Sequence, residues 1–165
     1  FWFNIGGQTC TDLNIGVDGT VNLTLGTVDV GGSRSSMAMI AAEELGIPYE
    51  QVRANIADTT SLGHNDMTEG SRGTFSSGMA TVFAARDAIG VLKERAAKMW
   101  GVPVDDVVWE NGQAVATGPL DPPFHRDHSG RAGARLLQEL EVVRHEHDAA
   151  AKGLDRLREP THEHS

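Results

Sequence analysis

With 165 residues, the chain can bury one hydrophobic core with an appendage and is too short for two ordinary domains. Its 39% apolar content and 19 glycines describe a globular α/β protein with many tight turns, and its net charge of −9, with 14 basic residues scattered along the chain, argues against a nucleic-acid partner. The single cysteine, Cys10, excludes an intramolecular disulfide and a cysteine-built zinc site and fits a reducing, cytoplasmic compartment, while no apolar run approaches the roughly 20 residues that span a bilayer.

The chain opens Phe1-Trp-Phe-Asn4 without Met or the basic and apolar regions of a secretory signal, and reads as following something that preceded it. Leu13 to Val17 and Val21 to Leu25 alternate apolar with polar or small residues around Asp18-Gly19, a pair suited to a turn with positive φ, and predict an antiparallel hairpin. From Ser36 to Leu45, Met37, Ile40, Ala41 and Leu45 recur at helical spacing, with Ser33, Ser35 or Ser36 available as N-cap and Gly46 as the stop. Val52 to Ala57 alternates with period two and predicts a third strand. The polar, glycine-containing stretch Asp58 to Thr74 is a loop of functional length.

Phe75, Met79, Val82, Phe83, Ile89, Leu92, Ala96 and Met99 then mark a long amphipathic helix that ends at Gly101-Val-Pro103. Val107 to Glu110 and Gln113 to Ala116 flank Asn111-Gly112, the strongest hairpin signal in the chain. The order is ββαβαββ, an α/β (α+β) arrangement in which a mixed sheet with two helices against one face buries both helical stripes. Beyond residue 120 the composition changes: six of the seven histidines lie there. Residues 1–120 are therefore expected to form the domain, and 121–165 a weakly packed helical or disordered tail around Leu136, Leu137, Leu140, Val143, Leu154 and Leu157.

Gly-Ser-Arg occurs twice, at Gly32-Ser33-Arg34 and Gly70-Ser71-Arg72, each time ahead of a helical pattern. The first turn of a helix exposes N–H groups without an intrahelical partner, glycine lets a ligand approach the backbone, and serine and arginine add donors suited to phosphate or carboxylate. Gly31, Gly32, Ser33, Arg34, Gly70, Ser71, Arg72, Gly73 and Thr74 are the candidate contacts. The same residues also serve as helix caps and turn glycines with solvated arginines, and the motif alone does not decide between the two.

Several of these segments carry a resemblance. Gly26-Thr-Val-Asp-Val-Gly-Gly-Ser-Arg34, Met37-Ala-Met-Ile-Ala-Ala-Glu-Glu-Leu-Gly-Ile-Pro48, Ala57-Asp-Thr59 and Gly70-Ser-Arg-Gly-Thr74, with Gly78 and Ala84-Ala85, are similar in order and spacing to the molybdopterin-binding large subunit of the xanthine dehydrogenase and aldehyde oxidase family. The likeness covers roughly residues 3 to 116 and implies a molybdenum pyranopterin cofactor, molybdopterin or its cytosine dinucleotide. Gly31, Gly32, Ser33 and Arg34 would lie against that cofactor, and Gly70 to Thr74 would take its pterin and phosphate. Where the family commonly has Gly-Gln-Gly, Gly32 stands at the glutamine position.

By the same likeness the chemistry is hydroxylation with oxygen from water, carried by molybdenum. The partners implied are the remaining part of the large subunit and iron–sulfur and flavin subunits. The family's late catalytic glutamate has no counterpart here, Glu43, Glu44, Asp58 and Glu69 lie outside its motif, and no catalytic or metal-ligating residue is assigned. The likeness ends near Asp121-Pro-Pro-Phe124, as a shifted reading frame or truncated gene would leave it. The chain is thus expected to be one lobe of a split cofactor site, inactive alone; the alternative is a non-catalytic anion-binding or protein-interaction module.

Other constellations are plainer. His145 and His147, like His162 and His164, are two apart and do not share a helix face, so they are expected in a solvated tail. Cys10 reads as a half-buried strand residue, His64 as a surface-loop histidine, and Trp2, Trp100 and Trp109 as packing residues.

Overall fold

The computed structural model describes residues 7–58 and 60–118. The expected tail lies outside these residues, and so do Trp2 and Thr59. Strands β1 (Thr11–Ile15) and β2 (Val21–Leu25) form an antiparallel hairpin in which Leu13 faces Leu23. Its turn closes through Gly16 N–H to Thr20 O at 2.8 Å, with Gly19 at φ 81°. Because that turn begins at Gly16, β1 sits two residues upstream of the expected position, and Val17 is exposed.

Helix α1 (Ser33–Leu45) carries the chain across to β3 (Val52–Ile56), which pairs parallel with β2 and brings Leu23 level with Ala54. The three strands form one mixed sheet in the order β1-β2-β3. Helix α2 (Gly78–Trp100) follows a wider helical turn at Gly73–Ser77. Strands β4 (Val107–Glu110) and β5 (Gln113–Ala116) close the described chain as a separate antiparallel ribbon.

The seven elements occur in the expected order, but the single expected sheet is divided in two. The reason is length. A helix of 23 residues runs about 35 Å, whereas five-residue strands cover about 17 Å, so the sheet covers only the first half of α2. One core joins Leu13, Leu23 and Leu25 of the sheet to Met37, Ala41 and Leu45 of α1 and Ala84, Ala85 and Ala88 of α2. A second core covers the far half of α2, with Leu92, Ala96 and Trp100 against Val107 and Ala114 of the ribbon.

Small residues set the approach of the two helices. Gly78 backs onto Ile40, whose Cδ1 would lie 3.2 Å from a Cβ at that position. The Thr81 hydroxyl faces Met37 Sδ at 3.9 Å near both helix starts, and Arg86 Nε pairs with Glu44 Oε1 at 2.5 Å further along. These contacts make the helices run in the same general direction and bring both N-terminal ends to one end of the domain.

The opposite end is locked by the ribbon. Trp109 Nε1 donates to Leu45 O at 2.8 Å and satisfies a carbonyl left over at the end of α1. Asn111 and Gly112, at φ 50° and 74°, build the tight turn. A Cβ on Gly112 would stand 2.7 Å from Ile47 Cγ2 and 3.2 Å from Gly46 O. Gly112→Ala is therefore expected to destabilise the fold by about 1–2 kcal/mol or more in urea unfolding, from the left-handed backbone together with the clash.

Candidate functional site

The first Gly-Ser-Arg segment begins where β2 ends. Thr27 O accepts the Ala57 N–H at 3.0 Å, which ties the loop after β2 to the loop after β3. Gly31 and Gly32, at φ 62° and 80°, then turn the chain into α1. The helix starts at Ser33, earlier than the apolar period suggests, and none of the three serines caps it. Instead the Ser33 hydroxyl turns back to Val28 O at 3.0 Å and accepts the Val30 N–H at 3.2 Å. The carboxylate of Asp29 accepts the Arg34 N–H at 3.1 Å and lies 3.5 Å from Arg34 Nε.

The second segment is built by a polar loop that folds back on the residues before β1. Asn65 Oδ1 accepts the Cys10 N–H at 3.1 Å, Asp66 N–H reaches Gln8 O at 3.0 Å, and Asp66 Oδ2 accepts the Gln8 N–H at 2.6 Å. Gly26 lies directly under the Asn65 side chain, so close that a Cβ would collide with its amide.

Arg72 completes this closure. It is buried, with 3% of its surface exposed. Its Nη1 donates to Asp66 O at 2.7 Å and Met67 O at 3.1 Å, and its Nη2 to Gln8 O at 2.6 Å and to the Thr9 hydroxyl. Its Nε has no partner among the described residues and points at Gly7, where a Cβ would stand 2.9 Å away. The outward fork expected of Arg72 is turned inward, where four buried or part-buried contacts converge on one multivalent donor.

The left-handed pair Gly70 and Ser71, at φ 54° and 60°, leads over Arg72 into the wide turn Gly73–Ser77. Ser71, Thr74 and Phe75 are exposed, whereas Ser76 and Ser77 are buried. No side chain caps this turn or the start of α2 among the described residues, and the turn runs straight into α2, whose Gly78 N–H bonds to Thr74 O and Phe75 O. Nothing among the described residues lies within 4 Å of where a Cβ would stand on Gly31, Gly32 or Gly73.

Two carboxylates strengthen the loop. Asp58 is held well below the ordinary carboxylate range, first by the Ser61 hydroxyl at 2.6 Å and then by the Thr60 N–H at 2.8 Å. Asp66 is lowered by its hydrogen bond with His64 and by the Gln8 N–H. Sequence reasoning missed Gln8, Thr9, Asn65 and Asp66 as parts of this site, and Asp29 as the neighbour of Arg34. Cys10, expected half-buried within a strand, is instead buried and sits directly ahead of β1. Among the described residues no cluster of His, Cys, Asp or Glu could hold a metal ion, and no helix is long and apolar enough to cross a membrane.

Both helix starts follow residues in the left-handed region, the first with Asp29 on its Arg34 N–H and the second without a side-chain cap among the described residues. Residues 2–150 match the molybdopterin cofactor-binding domain. The chain belongs to this family. This chain is 34% identical over 100 residues to the carbon monoxide dehydrogenase large chain of Hydrogenophaga pseudoflava, covering 60% of this chain and 12% of that one. The corresponding large chain of Afipia carboxidovorans is 33% identical over 100 residues, with the same coverage.

A crystal structure of Cu,Mo-CO dehydrogenase superposes with a TM-score of 0.69 at 25% identity, over 85% of this chain and 18% of that one. Quinoline 2-oxidoreductase from Pseudomonas putida 86 shares the fold, with a TM-score of 0.65 at 21% identity over 94% of this chain and 18% of that one. The chain therefore corresponds to part of a molybdenum hydroxylase large subunit and spans 12% of the curated relatives' length. The domain fits its cofactor class: a phosphate-bearing group needs backbone N–H donors and close backbone approach, and among the described residues nothing crowds Gly31, Gly32 or Gly73.

Arg72→Ala is expected to lower stability by about 2–4 kcal/mol, measured by urea unfolding, because it strands several carbonyls at once. The pH response follows from the lowered carboxylates. Their contribution is fully present above the ordinary value of 3.8 and is lost as pH falls through their lower folded values. Protection of the Gln8, Thr60 and Ser61 amides is thus expected to hold between pH 7 and 5 and to fall on acidification below about pH 4, read from NMR exchange protection factors.

Proposed function

We propose that this chain is one lobe of a split cofactor site in a molybdenum hydroxylase and has no turnover by itself. In this reading the N–H groups of Gly73 and Thr74, with the Ser71 and Thr74 hydroxyls, take the phosphate of the pyranopterin. Gly31 and Gly32 back its ring system by close approach, and Ser33, Arg34, Gly70 and Arg72 hold the two loops in shape. The observation that carries the reading is the arrival of two helix starts, each preceded by left-handed glycines, at one end of the domain.

When bound, molybdenum supplies hydroxylation with oxygen from water. The chain's own part is to bind and orient the group. Glu44 is engaged with Arg86, and the Asp58 carboxylate is occupied by Thr60 and Ser61, which supports assigning neither as a catalytic base. The domain boundary near residue 120, the cytoplasmic setting and the iron–sulfur and flavin subunits belong to this proposal. So does the substrate class: carbon monoxide, as the relatives' name says, or an aromatic heterocycle or aldehyde of the xanthine dehydrogenase and aldehyde oxidase type.

Exposed Val30, Met39, Met67 and Phe75 fit contact with the remaining part of the large subunit. Metal and pterin analysis of the purified chain tests the split site. The expected result is substoichiometric molybdenum for the chain alone and stoichiometric molybdenum with a complementing fragment; stoichiometric loading of the lone chain would refute the proposal. In the complemented protein, Thr74→Val is expected to weaken pterin retention about tenfold through loss of one charge-assisted hydrogen bond.

A further inference from the structure

We propose that Asn111 is a site of covalent self-modification. In the folded chain it loses ammonia through attack by the Gly112 nitrogen, and the aspartyl and isoaspartyl products release the end of α1 that the ribbon anchors.

Asn111 is exposed at the tip of the ribbon, and its side chain makes no hydrogen bond among the described residues. The residue after it is glycine, which puts no Cβ in the path of the attack, and the Gly112 N–H makes no backbone hydrogen bond among the described residues. The other described asparagines are placed differently. Asn14, Asn22 and Asn55 lie inside strands and precede Ile15, Leu23 and Ile56. Asn65 uses both ends of its amide, accepting the Cys10 N–H at 3.1 Å and donating to Gly63 O at 3.3 Å.

In the first step a bond forms between Gly112 N and Asn111 Cγ while the Cγ–Nδ2 bond breaks, and the Gly112 amide proton departs with Nδ2 as ammonia. Water then adds to either carbonyl of the cyclic imide. One opening leaves an aspartate; the other routes the main chain through the side-chain carbon as an isoaspartate. Asn111 and Gly112 are held at φ 50° and 74° by the pairing of Glu110 with Gln113. The imide flattens the chain between them, so closure takes place in molecules whose ribbon tip has opened. A two-stranded ribbon apart from the main sheet opens at low cost.

The products do not fit the closed tip. An isoaspartate adds a methylene to the main chain of the turn, where a Cβ on Gly112 would already stand 2.7 Å from Ile47 Cγ2 and 3.2 Å from Gly46 O. Either product also sets a carboxylate beside Glu110 and against the C-terminal end of α1, whose carbonyls carry partial negative charge. The Trp109 Nε1 bond to Leu45 O lies two residues away, so the loss reaches the anchor itself.

The test ages the full folded chain in mildly alkaline buffer and follows each asparagine by peptide mass, with an isoaspartate-specific carboxyl methyltransferase as the second readout. Asn111 is expected to convert about tenfold faster than any other described asparagine, and the converted fraction to show a lower urea midpoint and altered Trp109 emission. Trp109→Phe removes the bond to Leu45 O and is expected to speed conversion about fivefold in the folded chain, with no change in the urea-unfolded chain. Asn111→Gln, whose ring closure is far slower, should keep its mass in both backgrounds.

An Asn111 that stays intact in the folded chain while the unfolded chain converts, or converted protein with an unchanged urea midpoint, would overturn the proposal. So would equal conversion rates in the folded wild type and Trp109→Phe. If Trp109→Phe does not fold, a wild-type series in sub-denaturing urea replaces it: conversion and ribbon amide exchange should rise together, and conversion that ignores the exchange rate counts against the proposal.

Discussion

The buried guanidinium of Arg72 joins two stretches of backbone that no regular element connects. On one side are Gln8 and Thr9, ahead of the first strand; on the other are Asp66 and Met67, inside the longest irregular segment of the domain. Backbone groups in a buried loop need partners as strictly as those in a sheet, and here an arginine supplies in one planar fork what a ladder of amides supplies elsewhere. Asn65 and Asp66 extend the closure along the same line. Without this junction the start of the wide turn at Gly73 would have no fixed position relative to the sheet.

The second constraint is the fit of two helices through small residues. Alanines at 38, 41 and 42 of α1 and at 84, 85 and 88 of α2 let the helices approach closely, and Gly78 removes the last obstacle at the crossing. Close approach with like orientation sums the positive ends of two helix dipoles at one end of the molecule. The opposite end is anchored by the indole of Trp109 and the Asn111-Gly112 turn. The end that presents backbone donors and the end that fixes the fold are therefore separate, and each is served by different residues.

Much of this was legible in the sequence, because periodicity and turn chemistry are local. The order of seven elements, the Asp18-Gly19 and Asn111-Gly112 turns, and the helix ends at Gly46 and Gly101 follow from residues within one or two turns of each other. What was not legible is long-range. Arg72 reaches carbonyls 64 positions away, and a backbone carbonyl has no residue identity to betray it. The start of α1 was misplaced because Ser33 turns its hydroxyl back to Val28 instead of capping. The division into two sheets depends on the ratio of helix to strand length, which the apolar pattern does not express.

Ser71 adds a last consequence. It stands at φ 60°, a conformation that favours glycine, directly after a glycine that adopts it freely. A residue with a Cβ there costs the folded state about 1–2 kcal/mol that a second glycine would return. The domain thus carries a small reserve of strain at the lip of its second helix start, beside an exposed hydroxyl. A redesign aimed at thermal endurance alone would erase that hydroxyl first, which sets endurance against the phosphate contact proposed for position 71.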